Sequence, residues 1–161
     1  MTESEKPSDG ILALRVWLAL FSSVKEIESV VQKNLRGAFS STLPRFDLLA
    51  QLYRHSEGLT MGELSNRLMV TNGNVTGLIG RLVGEGLVDR TVDSEDRRIQ
   101  RVKLSDKGRQ LFDSMAPANQ VWIGQAMAGM SERDLQQLHK LLLKLKASTK
   151  EFAPEFPPGD S

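Results

Sequence analysis

From about residue 10 to residue 36, apolar side chains fall on more than one side of a helix, at Ile11, Leu14, Trp17, Leu18, Phe21, Val24, Ile27, Val31 and Leu35 among others. A helix apolar on more than one face must be covered on more than one face, by its own domain and a second subunit or by a deep core. "RFDLLAQLYRH" (45–55) carries Phe46, Leu48, Leu49 and Leu52 at helical spacing and predicts a second helix. "TMGELSNRLM" opens a third, because Thr60 and Glu63 form a capping box. The stretch "TNGNVTGLIGRLVGEG" (71–86) predicts a fourth, with Thr71 as N-cap and Gly86 as the closing glycine.

The pattern then changes period. "LVDRTV" and "RIQRVKL" are strand-like runs around the charged link "DSEDR", which predicts a hairpin. "LSDKGRQLFDSM" begins a fifth helix, broken or bent near Pro117, and "SERDLQQLHKLLLKLKAS" a sixth capped by Ser131, with a leucine-rich face. Residues 1–9 and the Pro-rich acidic stretch 151–161 read as flexible tails. A short helix, the turn "VTNG", a second helix and a hairpin form the layout of a winged helix-turn-helix. The fold class expected is mainly α with a small β-hairpin wing, with further helices from both termini.

The fourth helix raises a question of its own, since each interior glycine costs about 1 kcal/mol relative to Ala. Val75, Leu78, Ile79, Leu82 and Val83 form one apolar stripe. Gly73, Gly77, Gly80 and Gly84 gather on the opposite face, edged by Asn74, Arg81 and Thr76. A bare face admits close approach by another backbone or by a nucleic acid. Asn, Thr and Arg suit base edges and phosphates. The bland alternative is a glycine face packed on another helix of the same protein. At the hairpin tip Asp93, Asp96, Arg97 and Arg98, followed by Arg101 and Lys103, either solubilise a turn or meet phosphates and a narrow minor groove.

Composition narrows the classes. The chain of 161 residues has a net charge of +1, so DNA binding would rest on where cations stand rather than on a global field. It has no cysteine, which excludes disulfides, thiol catalysis and thiol redox sensing, and only two histidines, His55 and His139. The apolar run 11–24 is too short to span a bilayer and is preceded by acids, so no membrane span or signal peptide is expected and a cytoplasmic location is. No paired nucleophile and base, metal spacing or phosphate loop is present, so no enzyme, no metal site and no cofactor is expected.

The segment "LTMGELSNRLMVTNGNVTGLIGRLVGEGLVDRTVDSEDRRIQRVKLSDKGRQL", flanked by helices, resembles the MarR family of bacterial transcription regulators over roughly residues 10–150. The most specific parts are the D-x-x-D-R-R wing at Asp93, Asp96, Arg97 and Arg98, the "GLV-R" exit from the fourth helix, and "LSDKGR". The resemblance implies an obligate homodimer on a pseudo-palindromic operator in double-stranded DNA. Residues 10–36 and 117–150 would supply dimerisation helices, and 37–116 a DNA-binding lobe. The recognition helix would read DNA through Thr71, Asn72, Asn74, Thr76 and Arg81. Arg98 would enter the minor groove, with Asp96 holding Arg97 and Arg98. One departure is Gly77, where the family often has Arg or Lys.

The resemblance further implies a repressor released by a small anionic aromatic ligand, a carboxylate or an acyl-CoA thioester, as in regulators of aromatic-acid catabolism. Arginine beside aromatic rings suits such a ligand, which singles out Trp17, Arg36, Phe39, Arg45, Phe46, Arg54 and Trp122. The alternative for those residues is ordinary core and solvated surface. The competing functions are a ligand-independent activator or architectural DNA-binding protein and, outside DNA binding, a protein-interaction adaptor.

Overall fold

The computed structural model describes residues 7–68 and 74–151. Among them, α1 (Pro7–Phe39) is about 50 Å long at 1.5 Å per residue. Its first half leaves Ile11, Leu14, Trp17, Leu18 and Phe21 about half exposed or more, whereas its second half sends Val31 and Leu35 into the core. The chain turns into α2 (Leu43–Arg54), where Thr42 caps and the side chain of Gln32 on α1 accepts the N–H of Leu43 at 2.9 Å. Leu48, Leu49 and Leu52 are fully buried at helical spacing.

A two-residue strand, β1 (Leu59–Thr60), leads into α3 (Met61–Arg67). The expected capping box is present: Thr60 Oγ1 accepts from Glu63 N–H and the Glu63 carboxylate accepts from Thr60 N–H. After α4 (Val75–Gly84) come β2 (Val88–Val92) and β3 (Gln100–Leu104). The sheet has order β1-β3-β2, antiparallel throughout, with Leu59 opposite Val102 and Arg90 opposite Val102 on the other side. Sequence pattern missed β1, because two residues between a turn and a capping box carry no period.

α5 (Asp106–Ala126) runs unbroken through Pro117, so the expected break is absent. Pro117 removes one N–H, but it and Asp113, whose carbonyl is freed, are both exposed, and water can satisfy that carbonyl. Helices from both ends of this unit and the sheet share one core, with Leu35, Leu52, Leu64, Ile79, Leu82, Val88, Val102 and Met115 fully buried. The chain divides into two compact units, Met1–Ala126 and Met127–Ser161. The second is α6 (Glu132–Glu151), capped as expected by Ser131, whose Oγ accepts from Asp134 N–H at 3.2 Å. Asp134 returns the bond to Ser131 N–H at 3.1 Å, making a capping box with Asp in place of Glu. None of its residues is buried, and Leu141, Leu142, Leu143 and Leu145 are exposed. No helix among the described residues is long and apolar enough to cross a membrane. The architecture is the mainly α fold with a small antiparallel wing that the sequence leads one to expect.

The start of α5 is pressed against the exit of α4. A Cβ on Gly108 would lie 2.0 Å from the carbonyl oxygen of Leu87 and 3.1 Å from Leu104 Cδ2. Backbone cannot give way as a side chain can, so Gly108→Ala should destabilise the protein by about 2–3 kcal/mol through overpacking. Gly124, on the same helix with nothing within 4 Å, is the control: Gly124→Ala should stabilise by roughly 0.5–1 kcal/mol. Urea unfolding of the two variants measures both, and equal effects would refute the packing account.

Candidate nucleic-acid interface

α4 is held by one face. Leu78, Ile79 and Leu82 are buried and Val75 packs beside them, while Val83 lies at the stripe's edge, 37% exposed. On the opposite face a Cβ added to Gly80 or Gly84 meets nothing within 4 Å, and one added to Gly77 meets only the side chain of Asn74. Among the described residues, then, no helix of this chain packs on the glycine face. Thr76 and Arg81 stand exposed at its edges. Thr71, Asn72 and Gly73 lie outside the described residues.

The helix begins later than expected. Its N-cap is Asn74, whose Oδ1 accepts the N–H of Gly77 at 2.9 Å, not Thr71. Asn is among the strongest N-caps, and position 77 sits directly under it: a Cβ there would be 2.9 Å from Asn74 Nδ2. A side chain at 77 would press on the amide end of the capping Asn74.

The other end is clamped. Gly86 has φ +72°, and Leu87 N–H to Leu82 O with Gly86 N–H to Val83 O completes a Schellman motif. Its hydrophobic contact is supplied by Leu87 and Leu82, both buried. Ser105 Oγ then donates to Gly86 O at 2.6 Å and Lys107 Nζ to Glu85 O at 2.8 Å. Arg45, at the first turn of α2, grips the Glu85 carboxylate with both terminal nitrogens, one at 2.7 Å. The hydrogen bonds push the Arg45 pKa up and pull that of Glu85 down. Sequence reasoning missed this pair, since nothing local links positions 40 residues apart.

In the wing Asp93 and Asp96 have different tasks. Asp93 Oδ1 accepts the N–H groups of Glu95 and Asp96, closing the turn, and Oδ2 accepts Arg101 Nε at 2.7 Å. The Arg101 guanidinium, with those two backbone donors, holds the Asp93 pKa down at about 2. Arg101 also lies 3.8 Å from Glu63, tying the wing to the capping box of α3. Asp96 takes Arg98 in a two-pronged pair, Nε at 3.1 Å and Nη2 at 3.0 Å, and accepts its backbone N–H. Arg98 nevertheless keeps 90% of its side chain exposed. Arg97 is exposed and makes no ion pair among the described residues, so Asp96 holds Arg98 and not both arginines. Exposed pairs of this kind contribute little stability; what they fix is direction.

Among the residues expected to contact a ligand, Phe39 and Trp122 are the pair brought into ring contact. Trp17 stacks on Phe21 with centroids 5.9 Å apart, Phe39 meets Trp122 edge-on at 6.2 Å, and Phe46 tilts against Phe112 at 5.4 Å. Arg45 is engaged with Glu85, and Arg36 and Arg54 are exposed on separate helices. A groove of about 330 Å³ between α1, α2 and α5 is lined by one member of the set, Phe46.

The family model of the MarR family matches residues 41–100, from the start of α2 to the wing. An HTH-type transcriptional regulator of Bacillus subtilis, YkoM, is 31% identical over 130 residues, 81% of each chain. A MarR family transcriptional regulator from Silicibacter pomeroyi has a similar structure, with TM-score 0.76 and 28% identity over 90% of this chain and 99% of that one. Sco3205 of Streptomyces coelicolor, solved in complex with DNA, shares the fold at TM-score 0.74 and 19% identity, over 95% and 94% of the two chains. With the winged helix, its open recognition face and these relatives in place, the chain belongs to the MarR family of DNA-binding transcription regulators.

Proposed function

We propose that the chain works as a homodimeric repressor on a pseudo-palindromic operator in double-stranded DNA, released by a small, largely apolar ligand. The observation that carries the DNA reading is the recognition helix itself: clamped from behind and at its exit, with Gly80 and Gly84 left open by the described residues and the Asn74 cap beside Gly77. Gly80 and Gly84 let the helix sit close in the major groove, with Thr71, Asn72, Thr76 and Arg81 at base edges and phosphates. Asn74 caps with its oxygen, which leaves its amide nitrogen to reach DNA. Arg98, aimed by Asp96, enters the minor groove, and the unpaired Arg97 meets phosphate. Sco3205, which shares the fold, was solved in complex with DNA, and this supports a DNA-binding role.

The dimer reading rests on apolar surface. The first half of α1 exposes Trp17, Phe21 and five other large side chains from residue 11 to residue 18, and α6 exposes four leucines. A solvated helix with no buried face is marginal alone, and a second copy supplies the cover. Residues 10–36 and 117–150 are the dimerisation helices in this reading, and 37–116 the DNA-binding lobe. For the carboxylate or CoA thioester expected from the sequence, no lysine or arginine is among the residues lining the groove beside Phe46, so the release reading rests on that groove and not on Arg36, Arg45 and Arg54.

Three outcomes test the proposal. A fluorescently labelled duplex from the promoter beside the gene should bind with an affinity that falls steeply with salt, and Arg97→Ala and Arg98→Ala should each flatten the log–log slope by about 1; equal affinity for scrambled DNA would defeat the specific reading. Gly80→Ala should raise helix stability by about 1 kcal/mol in thermal unfolding yet weaken specific binding, whereas stabilisation with intact binding would take that face out of the groove. Sedimentation should find a dimer, and Leu18→Glu with Phe21→Glu should shift it to monomer.

A further inference from the structure

We infer that Arg45, which lies on α2 and not on the recognition helix, is a positioning residue for sequence reading: through Glu85 it sets the angle at which α4 presents its side chains to DNA. The pair joins the first turn of α2 to the C-cap of α4 across 40 positions of sequence. Both terminal nitrogens of the guanidinium donate to the carboxylate, Nη1 to Oε1 at 2.7 Å and Nη2 to Oε2. A two-pronged bond of this kind fixes direction as well as distance. Arg45 keeps 19% of its side chain in solvent and its Nε is buried without a hydrogen-bond partner, so among the described residues it is Glu85 that holds the guanidinium. The support behind Arg45 is itself tied down. Thr42 caps α2 by accepting the Arg45 N–H, and Gln32 of α1 accepts the Leu43 N–H at 2.9 Å.

The consequence for DNA follows from how two kinds of contact tolerate misplacement. Phosphate contacts carry no sequence and run through long, flexible cations, whereas base-edge bonds specify sequence and need their donors and acceptors placed closely. α4 is open to misplacement, because glycine at 77, 80 and 84 leaves it few side chains to brace its outer face. Ser105 and Lys107 hold backbone carbonyls at its exit, those of Gly86 and Glu85. The Arg45 fork adds a side-chain bond from a different element, α2. Loss of the fork therefore lowers affinity for the right sequence and spares affinity for DNA in general. Glu85 separates this role from simple charge. It is an acid, 44% exposed, at the end of the recognition helix, so neutralising it would tighten binding to every duplex if phosphate repulsion alone counted. Positioning predicts the opposite sign on the operator.

The inference rests on the operator reading, and the experiment tells the two apart. The full chain and its variants Arg45→Gln, Arg45→Lys, Glu85→Gln and the double Arg45→Gln, Glu85→Gln are titrated against the labelled promoter duplex and a scrambled duplex, at several salt concentrations and below the melting transition. A wild-type chain that prefers neither duplex defeats the operator reading and this role with it. Where the preference is present, each glutamine variant should bind the promoter duplex about tenfold more weakly, the worth of one good base contact, and the scrambled duplex within about twofold of wild type. The double variant should match the singles, because all three break one bond. Arg45→Lys keeps the charge but not the fork, so it too should lose promoter affinity, and it carries the test where Arg45→Gln does not fold. The salt slope of Arg45→Gln should equal that of wild type, whereas a direct phosphate contact would flatten it by about 1. Equal losses on both duplexes, no loss on either, tighter promoter binding by Glu85→Gln, additive losses in the double variant, or a flattened slope overturns the role.

Discussion

A helix whose outer face bears no side chains must be positioned entirely from behind and from its ends, and the contacts around α4 follow from that constraint. Three glycines at 77, 80 and 84 cost it roughly 2–3 kcal/mol of helix propensity. Burial of Leu78, Ile79 and Leu82, at about 1.5–3 kcal/mol each, more than offsets this. Burial alone fixes neither rotation nor end point. Those are set by directional bonds: the Asn74 cap in front, and behind it the Schellman turn, Ser105, Lys107 and the Arg45–Glu85 pair. The last three fasten one end of the helix to α5 and α2. Recognition is thus tied to the elements that line the groove.

The wing uses charge in the same directional way. Two of its carboxylates, Asp93 and Asp96, each orient a chosen partner. Asp93 shapes the turn and holds Arg101 inward against Glu63, whereas Asp96 holds Arg98 outward. A tip with cations alone would bind phosphate but would not aim a side chain. The low pKa of Asp93, about 2, means its hold is lost only as pH falls from the ordinary carboxylate range near 4 toward 2. Asp93 therefore keeps its hold on Arg101 near neutral pH.

What could be read from the sequence was local or periodic. The apolar stripe of α4, the Thr60–Glu63 box, the Ser131 cap, the closing Gly86 and the hairpin each depend on residues within a few positions, and each is present. What was not legible depended on distance or on competition between neighbours. β1 exists because β3 offers it an edge, and Arg45 meets Glu85 because α2 and α4 share a core. Thr71 and Asn74 are both acceptable caps by type; the choice of Asn74 follows from where the chain enters the helix. Pro117 is tolerated because its lost bond faces solvent, which composition cannot reveal. The ligand residues were chosen by type, and type could not tell Arg45 the strut from Arg45 the receptor.

That distinction bears on how the site should be described. An arginine beside aromatic rings invites an anion in any sequence, and here three such arginines stand near Phe39 and Phe46 along the chain. In the fold one of them is engaged with Glu85 and two face solvent, and none of the three is among the residues lining the groove beside Phe46. Desolvation makes the sign of the lining groups decisive, because a charge moved into a partly closed cavity loses hydration that only an opposite charge or a hydrogen bond replaces. Arg45, next to Phe46 in sequence, serves the end of α4 instead.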